Sequence, residues 1–286
     1  MKIVFFGTPD YVLPVLLSVH KKFVTGPGKS PIVAVVTQPP RPVGRRQILS
    51  YSPIDKWAHD HKVPIFYSPD DLVKANLDIE LGVLASYGEI LKKEVINLFP
   101  QGILVIHPSL LPKYRGASPI PEAIKNGETK TGVTILKMDE KMDHGPVVVQ
   151  FKDDILPDDT TESLRARLFA KSAQVLVETL EPYMQGKIKL KKQNDIDATF
   201  TKLTKKQDGF ITLSEMAPEA AERFIRAMYP WPGAWTLLPN QKRLKILKAH
   251  LEEGGKLALD EVQLEGKDPV KWKQFEIAYP QFSHLF

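Results

Sequence analysis

The chain has no cysteine, which excludes disulfides, thiol nucleophiles and every cysteine-based zinc site, and fits a reducing compartment. It lacks any apolar run near the ~20 residues that span a bilayer. The apolar opening MKIVFFGTPD is interrupted at Asp10, too early for a secretory signal. No internal repeat or low-complexity tract is present. The G-x-G-x-x-G fingerprint is missing after the first predicted strand, so dinucleotide binding has no support. The seven histidines show no metal-ligand spacing; His59 and His61 are two apart on a predicted helix and face different directions. With 43% hydrophobic and 26% charged residues, composition predicts a soluble, cytoplasmic globular protein with no metal and no membrane partner. The 286-residue length suggests about two domains.

What is there alternates strand and helix. Lys2–Phe6, Ile32–Val36, Val63–Phe66, Leu81–Ala85 and Ile103–His107 are short apolar runs that suit strands buried on both faces. Helical patterns fall between them, from Asp10 to about Lys22, over 53–62, at Pro69–Lys74 and at Glu89–Leu98. Ser118–Asn126 reads as a helix with Gly127 as its C-cap, and Gly132–Met138 and Pro146–Phe151 read as strands. Thr160–Met184 reads as a long amphipathic helix capped by Asp159 or Thr160. This grammar predicts an α/β domain over residues 1–186, a Rossmann-like, doubly wound, mostly parallel sheet. Beyond residue 206 the pattern changes. Strand candidates at Phe210–Leu213, Ala234–Leu238, Leu244–His250, Leu257–Leu264 and Phe275–Ala278, with a helix at Pro218–Met228, predict a small β-rich domain over 207–286, barrel-like in the OB manner. Trp231 and Trp235 are expected to pack inside it.

Between the two domains, residues 187–206 carry seven lysines against Asp195 and Asp197, an excess equal to the net +5 of the whole chain. Such a run is either a solvated linker or a basic surface for a polyanion. Phosphate-rich partners fit better than membranes, because no amphipathic apolar face accompanies the lysines. Lys189, Lys191, Lys192, Lys205 and Lys206 are the candidate phosphate contacts. A second basic feature is the proline-dense loop Thr37–Pro53 with Arg41, Arg45 and Arg46, read as a stretch without regular structure. Loops of that length are often functional, and three arginines beside a helix start suggest phosphate.

The chemistry concentrates in Ile103–Pro119. A buried strand runs to its first polar side chain, His107, and a proline- and glycine-punctuated loop with Ser109, Lys113, Tyr114, Arg115 and Gly116 follows. Open parallel sheets bind ligands beyond the carboxyl ends of their strands, and Ser86-Tyr87-Gly88 lies at another such end. A histidine alone at a strand end is commonly structural. The acidic cluster Asp139–Gly145, after a further strand-like run, turns His107 into a catalytic candidate. His144, next to Gly145, is read as a surface histidine in a turn.

The motifs FFGTPD, VTQPPRPVGR, VLASYGEIL, IHPSLLPKYRGASPI, TGVTILKMDEKMDHGP, TKLTKKQDG and YPWPGAW, in this order along nearly the whole chain, resemble the folate-dependent N-formyltransferases. The SLLPxYRGAxPI block is specific to that group. The basic segment and YPWPGAW resemble its methionyl-tRNA formyltransferase branch more than its glycinamide ribonucleotide or nucleotide-sugar branches. The resemblance implies the formyltransferase fold and transfer of a formyl group from 10-formyltetrahydrofolate to the amino group of methionine on initiator tRNA. It implies His107 and Asp143 as catalytic, and Ser109, Leu110, Leu111, Pro112, Tyr87 and Gly88 as folate-contacting. The loop around Arg45 matches the one inserted at the tRNA acceptor end. A monomer is expected.

One position departs from the family pattern Asn-x-His: the triplet here is Val105-Ile106-His107. Residues two apart on a strand share a face, so Val105 stands where the asparagine would help build the site. Formyl transfer between nitrogens passes through a tetrahedral carbon with negative charge on the formyl oxygen. His107 can donate to that oxygen, and Asp143 can orient the ring or take the amine's proton. Valine offers no donor, and loss of one such donor lowers a rate by ~10²–10³. Three outcomes stay open: a slow formyltransferase, one with a substitute donor such as Ser109 or a backbone amide, or a non-catalytic binder of folate or tRNA. An amino-sugar-nucleotide N-formyltransferase is a further alternative.

Overall fold

Runs rich in Ile, Val and Leu, too short for stable helices, form the central sheet of the computed structural model, which describes residues 1–26, 28–43 and 47–283. Its strands are β1 (Ile3–Gly7), β2 (Ile32–Val36), β3 (Ile65–Phe66), β4 (Leu81–Ala85), β5 (Ile103–His107), β6 (Lys130–Lys137) and β7 (Val147–Asp154), in the spatial order β7-β6-β5-β4-β1-β2-β3. The pairs β1–β2, β1–β4, β2–β3 and β4–β5 are parallel, while β6 runs antiparallel to β5. Every residue of β1 and β5 is buried, as strands covered on both faces must be. The expected doubly wound, mostly parallel sheet is present. Its order reverses at β1, so the crevice beyond the carboxyl ends of β1 and β4 is the switch point where such sheets take ligands. Beneath it Phe6 meets Tyr87 and Phe99 edge-on, at 5.9 and 5.8 Å between ring centroids.

By packing, the chain divides into two units. The first comprises residues 1–115, 132–153 and 166–199 and carries this sheet. Two of its segments differ from expectation. The pattern of Glu89–Leu98 predicts a helix, and only Lys93–Ile96 is helical. Leu91, Val95 and Phe99 are buried at helical spacing, which is the signal, but Glu89 is held by Gln38 at 2.7 Å and Lys92 is extended. Thr37–Pro53 contains an antiparallel hairpin, Arg41–Val43 against Ile48–Ser50, in place of the expected irregular loop.

The second unit comprises residues 116–131, 154–165 and 200–286. Its sheet is antiparallel: β8 (Ala234–Leu237), β9 (Arg243–Leu251), β10 (Leu257–Leu264) and β11 (Val270–Lys271), in that order. Leu244, Val262 and Leu264 pack from it against Leu238 and Phe275. Phe275–Ala278, expected as a strand, belongs to the helix Trp272–Ala278. Trp272, Phe275 and Tyr279 recur at intervals of three and four and touch in series, and Gln274 accepts from the Lys271 amide at the helix start. Phe210–Leu213 makes a single bridge to Trp235 and then a 3₁₀ turn, in place of a strand. The earlier segments join this unit through polar ties. The Thr161 hydroxyl donates to the Ala227 carbonyl, the Arg226 guanidinium to Asp159, and Arg223 to Lys125. Residues 187–199 pack with the first unit and residues from 200 with the second, so the lysine-rich stretch is shared between them. Among the described residues no helix is long and apolar enough to cross a membrane.

Candidate functional site

His107 ends β5 at its carboxyl edge and is only 5% exposed. Its Nε2 lies 2.9 Å from the backbone carbonyl of Tyr114, an acceptor with no proton of its own. That contact requires a proton on Nε2 and leaves Nδ1 facing Asp143, whose Oδ2 is 3.5 Å away. Both sequence candidates therefore meet. How they meet was not legible from the chain. Because β6 is antiparallel to β5, it ends at the start of β5, where the Met138 amide bonds to the Ile103 carbonyl at 2.7 Å. The loop that follows doubles back to bring Asp143 to the other end of β5. Asp143 adopts φ 49°, in the left-handed region, and a Cβ on Gly145 would sit 1.9 Å from the Lys137 carbonyl, so only glycine passes there.

The loop after His107 is pinned from β6. The Thr134 hydroxyl donates to the Ser109 carbonyl and accepts from the Leu111 amide, and Gln150 donates to both Thr134 and the Leu111 carbonyl. Ser109 is buried and its hydroxyl donates to the Lys113 carbonyl at 2.7 Å, so its proton is committed and it is no substitute oxyanion donor. Leu110 lies over Gly132. Leu111 packs with Val105 and Leu136, flanked by Leu84 and Met138, so Val105 is part of an apolar cluster. Pro112 is partly buried. Tyr87 is buried in the core against Phe6, so its ring packs and does not line a cleft. Burial pushes its hydroxyl pKa up, and nearby Glu89 adds to the effect. Gly88, at φ 92°, has nothing within 4 Å of where a Cβ would be, leaving the backbone at the end of β4 approachable.

Sequence reasoning missed a second layer. Arg115, 3% exposed, donates to Gln193 from Nε and Nη2 at 3.1 and 2.8 Å, and to Asp195 at 2.8 Å. Gln193 donates in turn to the carbonyls of Asp143 and Gly145. The Arg115 hydrogen bond holds the Asp195 carboxyl below the usual carboxylate range, with His144 adding to the effect. His144, read as a surface histidine, stands between Asp139 at 2.6 Å and Asp195 at 3.3 Å. Arg115 was visible in its motif, but nothing in the sequence signalled Gln193.

Arg41 is exposed and donates to Gln38, while Arg45 and Arg46 lie outside the described residues. Lys189, Lys191 and Lys192 are exposed in the first unit, on a segment anchored by paired backbone bonds between Lys191 and Val147. Lys205 and Lys206 are exposed in the second unit. Trp231 is 60% exposed, against the expectation of packing, whereas Trp235 lies against Phe210 with Arg243 4.3 Å above its ring. Among the described residues no three His, Asp or Glu side chains converge on a point that could hold a metal.

Two family profiles match the chain, "Formyl transferase" over residues 1–180 and "Formyl transferase, C-terminal domain" over residues 203–257. A methionyl-tRNA formyltransferase of Chloroflexus aggregans is 41% identical over 256 residues, covering 87% of this chain and 80% of that protein. One from Geotalea daltonii is 33% identical over 306 aligned positions, covering 98% and 96%. Among solved structures, a methionyl-tRNA formyltransferase from Clostridium thermocellum superposes with a TM-score of 0.64 at 18% identity, over 92% of this chain and 98% of that one. An N-formyltransferase from Helicobacter canadensis, in complex with folinic acid and dTDP-3-aminofucose, gives 0.67 at 20% identity, covering 88% of each chain. At these identities the two structures speak for the fold.

Proposed function

The chain belongs to the formyl transferase family, and from that membership we propose that it moves a formyl group from 10-formyltetrahydrofolate to the amino group of methionine on initiator tRNA. The observation that carries the chemistry is the His107–Asp143 pair, 3.5 Å apart, with the outer ring nitrogen already held by Tyr114. The amine nitrogen attacks the formyl carbon while the Asp143 carboxylate takes its proton, directly or through a water. Charge gathers on the formyl oxygen, and the His107 ring, carrying a proton on both nitrogens in this step, donates to it from Nδ1. Collapse breaks the bond to the folate nitrogen, which takes back the proton held by Asp143. One carbon–nitrogen bond forms, one breaks, and the proton count is unchanged.

The surroundings of His107 are the proposed place of the folate. The wall of Val105, Leu111, Leu136 and Met138 is apolar, and the backbone around Gly88 stands open at a carboxyl edge, while Ser109, Leu110 and Pro112 form the turn beside them. Residues 1–186 are assigned the chemistry, and residues 207–286 tRNA contact. The exposed lysines 189, 191, 192, 205 and 206, with Arg41, Arg45 and Arg46, would meet phosphates, which give affinity but not identity. Identity would come from the hairpin Arg41–Ser50, where Val43 and Ile48 are 58% and 64% exposed and suited to unpaired bases at an acceptor end. We propose that the protein meets these partners in the cytoplasm and acts as a monomer.

The test is formylation of charged initiator tRNA by the chain as it stands. Turnover with methionyl-tRNA and none with nucleotide-sugar amines is the expected result. The reverse preference would move the chain to the amino-sugar branch, and tRNA binding without turnover in both this chain and Val105→Asn would make it a binder.

A further inference from the structure

Gln193 lies 50 residues beyond Asp143, and its carboxamide is saturated by hydrogen bonds that reach the backbone of that acid. It is 8% exposed. Its oxygen accepts from Arg115 Nε and Nη2, which fixes the orientation of the amide, because a guanidinium can only donate. Its nitrogen then points both protons at backbone carbonyls, Asp143 at 2.9 Å and Gly145 at 2.8 Å. These two carbonyls flank the tightest part of the loop, where Asp143 is left-handed and Gly145 admits no side chain. A non-glycine residue in that region is strained and is held there by its surroundings.

We infer that Gln193 is a positioning residue: it clamps the Asp143–Gly145 turn, with Arg115 as its anchor, and thereby sets the Asp143 carboxylate within ion-pair reach of His107. The inference rests on the formyl-transfer role given above to those two side chains. Gln193 acts through the backbone of Asp143 and touches no reacting atom. The segment holding it is rigid for the same purpose, since Lys191, two residues earlier, is paired by its backbone to Val147 in both directions.

Gln193→Glu is nearly isosteric and isolates the clamp. The carboxylate still accepts from Arg115, but it offers no proton to either carbonyl. Gln193→Met removes both sets of bonds and serves as the second variant if Glu perturbs folding. Three readouts decide: kcat, KM for charged tRNA, and the ¹⁵N resonance of His107 Nδ1, with Asp143→Asn as the reference for a ring without its carboxylate. Expected are a kcat about 10–100-fold lower, the scale of a misplaced catalytic group, a KM within about twofold, and an Nδ1 resonance displaced toward that of Asp143→Asn. A kcat equal to the parent's, or a resonance that stays at the parent's position, overturns the inference, as does lowered thermal stability with both unchanged. If the parent chain shows no formylation, the functional reading fails by itself, and the resonance still decides whether Gln193 positions Asp143.

Discussion

At the scale of single residues, Val105 sets two effects against each other. It completes an apolar cluster with Leu111 and Leu136, so the fold gains from it, while in the proposed step it adds no donor for the formyl oxygen to the one His107 supplies. Val105→Asn should raise single-turnover formylation by ~10²–10³ if the new amide reaches that oxygen. It should also lower unfolding free energy by about 1–3 kcal/mol, because a buried amide without its full set of partners is expensive. Denaturant unfolding and rapid-quench kinetics on the same preparation separate the two, and a faster enzyme with no loss of stability would contradict the packing argument. His107 and Asp143 act as one unit in the proposed step. His107→Ala and Asp143→Ala should each remove most turnover, and the double variant should be little worse than the poorer single one. Multiplying losses would mean that the two groups serve separate steps. These residues were legible in the sequence through the motifs that carry them. Tyr87 was not, because a turn after a strand gives no sign of which way an aromatic ring goes, and here it goes into the core.

At the scale of elements, the loop from Pro108 to Arg115 keeps its shape through Thr134, which lies opposite His107 on β6. Thr134→Val is nearly isosteric and leaves the Ser109 carbonyl and the Leu111 amide without their partner. The expected loss is about 1–3 kcal/mol, which for a domain of this size lowers Tm by about 2–4 °C per kcal/mol in calorimetry. An unchanged Tm would show that the loop is held by other means. Asp195 contributes at neutral pH and loses its contribution in acid. Its carboxyl is held low in the folded chain by Arg115, so the pairing stabilises at pH values above the unfolded carboxyl's range and fades as pH falls through the folded one. Asp195→Asn should therefore lower stability at neutral pH and leave it unaltered in strong acid, a difference that thermal melts across the acid limb would reveal. Strand existence was readable here because burial on both faces leaves a plain apolar run, and β2, β4 and β5 fall where that run predicts. The segment Phe275–Ala278 misled because four residues cannot distinguish a period of two from one of 3.6 without Trp272 and Tyr279 in view.

At the scale of the whole molecule, the positive excess is carried by exposed side chains that make no part of the catalytic cluster. Binding of charged tRNA should weaken with salt. Replacing Lys189, Lys191 and Lys192 together by alanine should reduce the log–log slope by about 2–3, near 0.7–0.9 for each phosphate no longer neutralised. A slope unaffected by the triple variant would take this segment out of the interface. Folate affinity should not follow salt in the same way.

Local pattern by itself determined which runs would be buried strands and that no disulfide or thiol chemistry is available, and the motifs, through their resemblance to a family, pointed to His107, Asp143 and Val105. Only the tertiary structure decided that β6 turns antiparallel, that its loop doubles back to put Asp143 beside His107, and that Gln193 and Arg115, 78 residues apart, brace that loop from behind. The division has a physical cause. Periodicity records how each residue meets solvent or core. Which side chains face each other depends on strand direction and register between distant segments, and no local stretch of the chain carries that information.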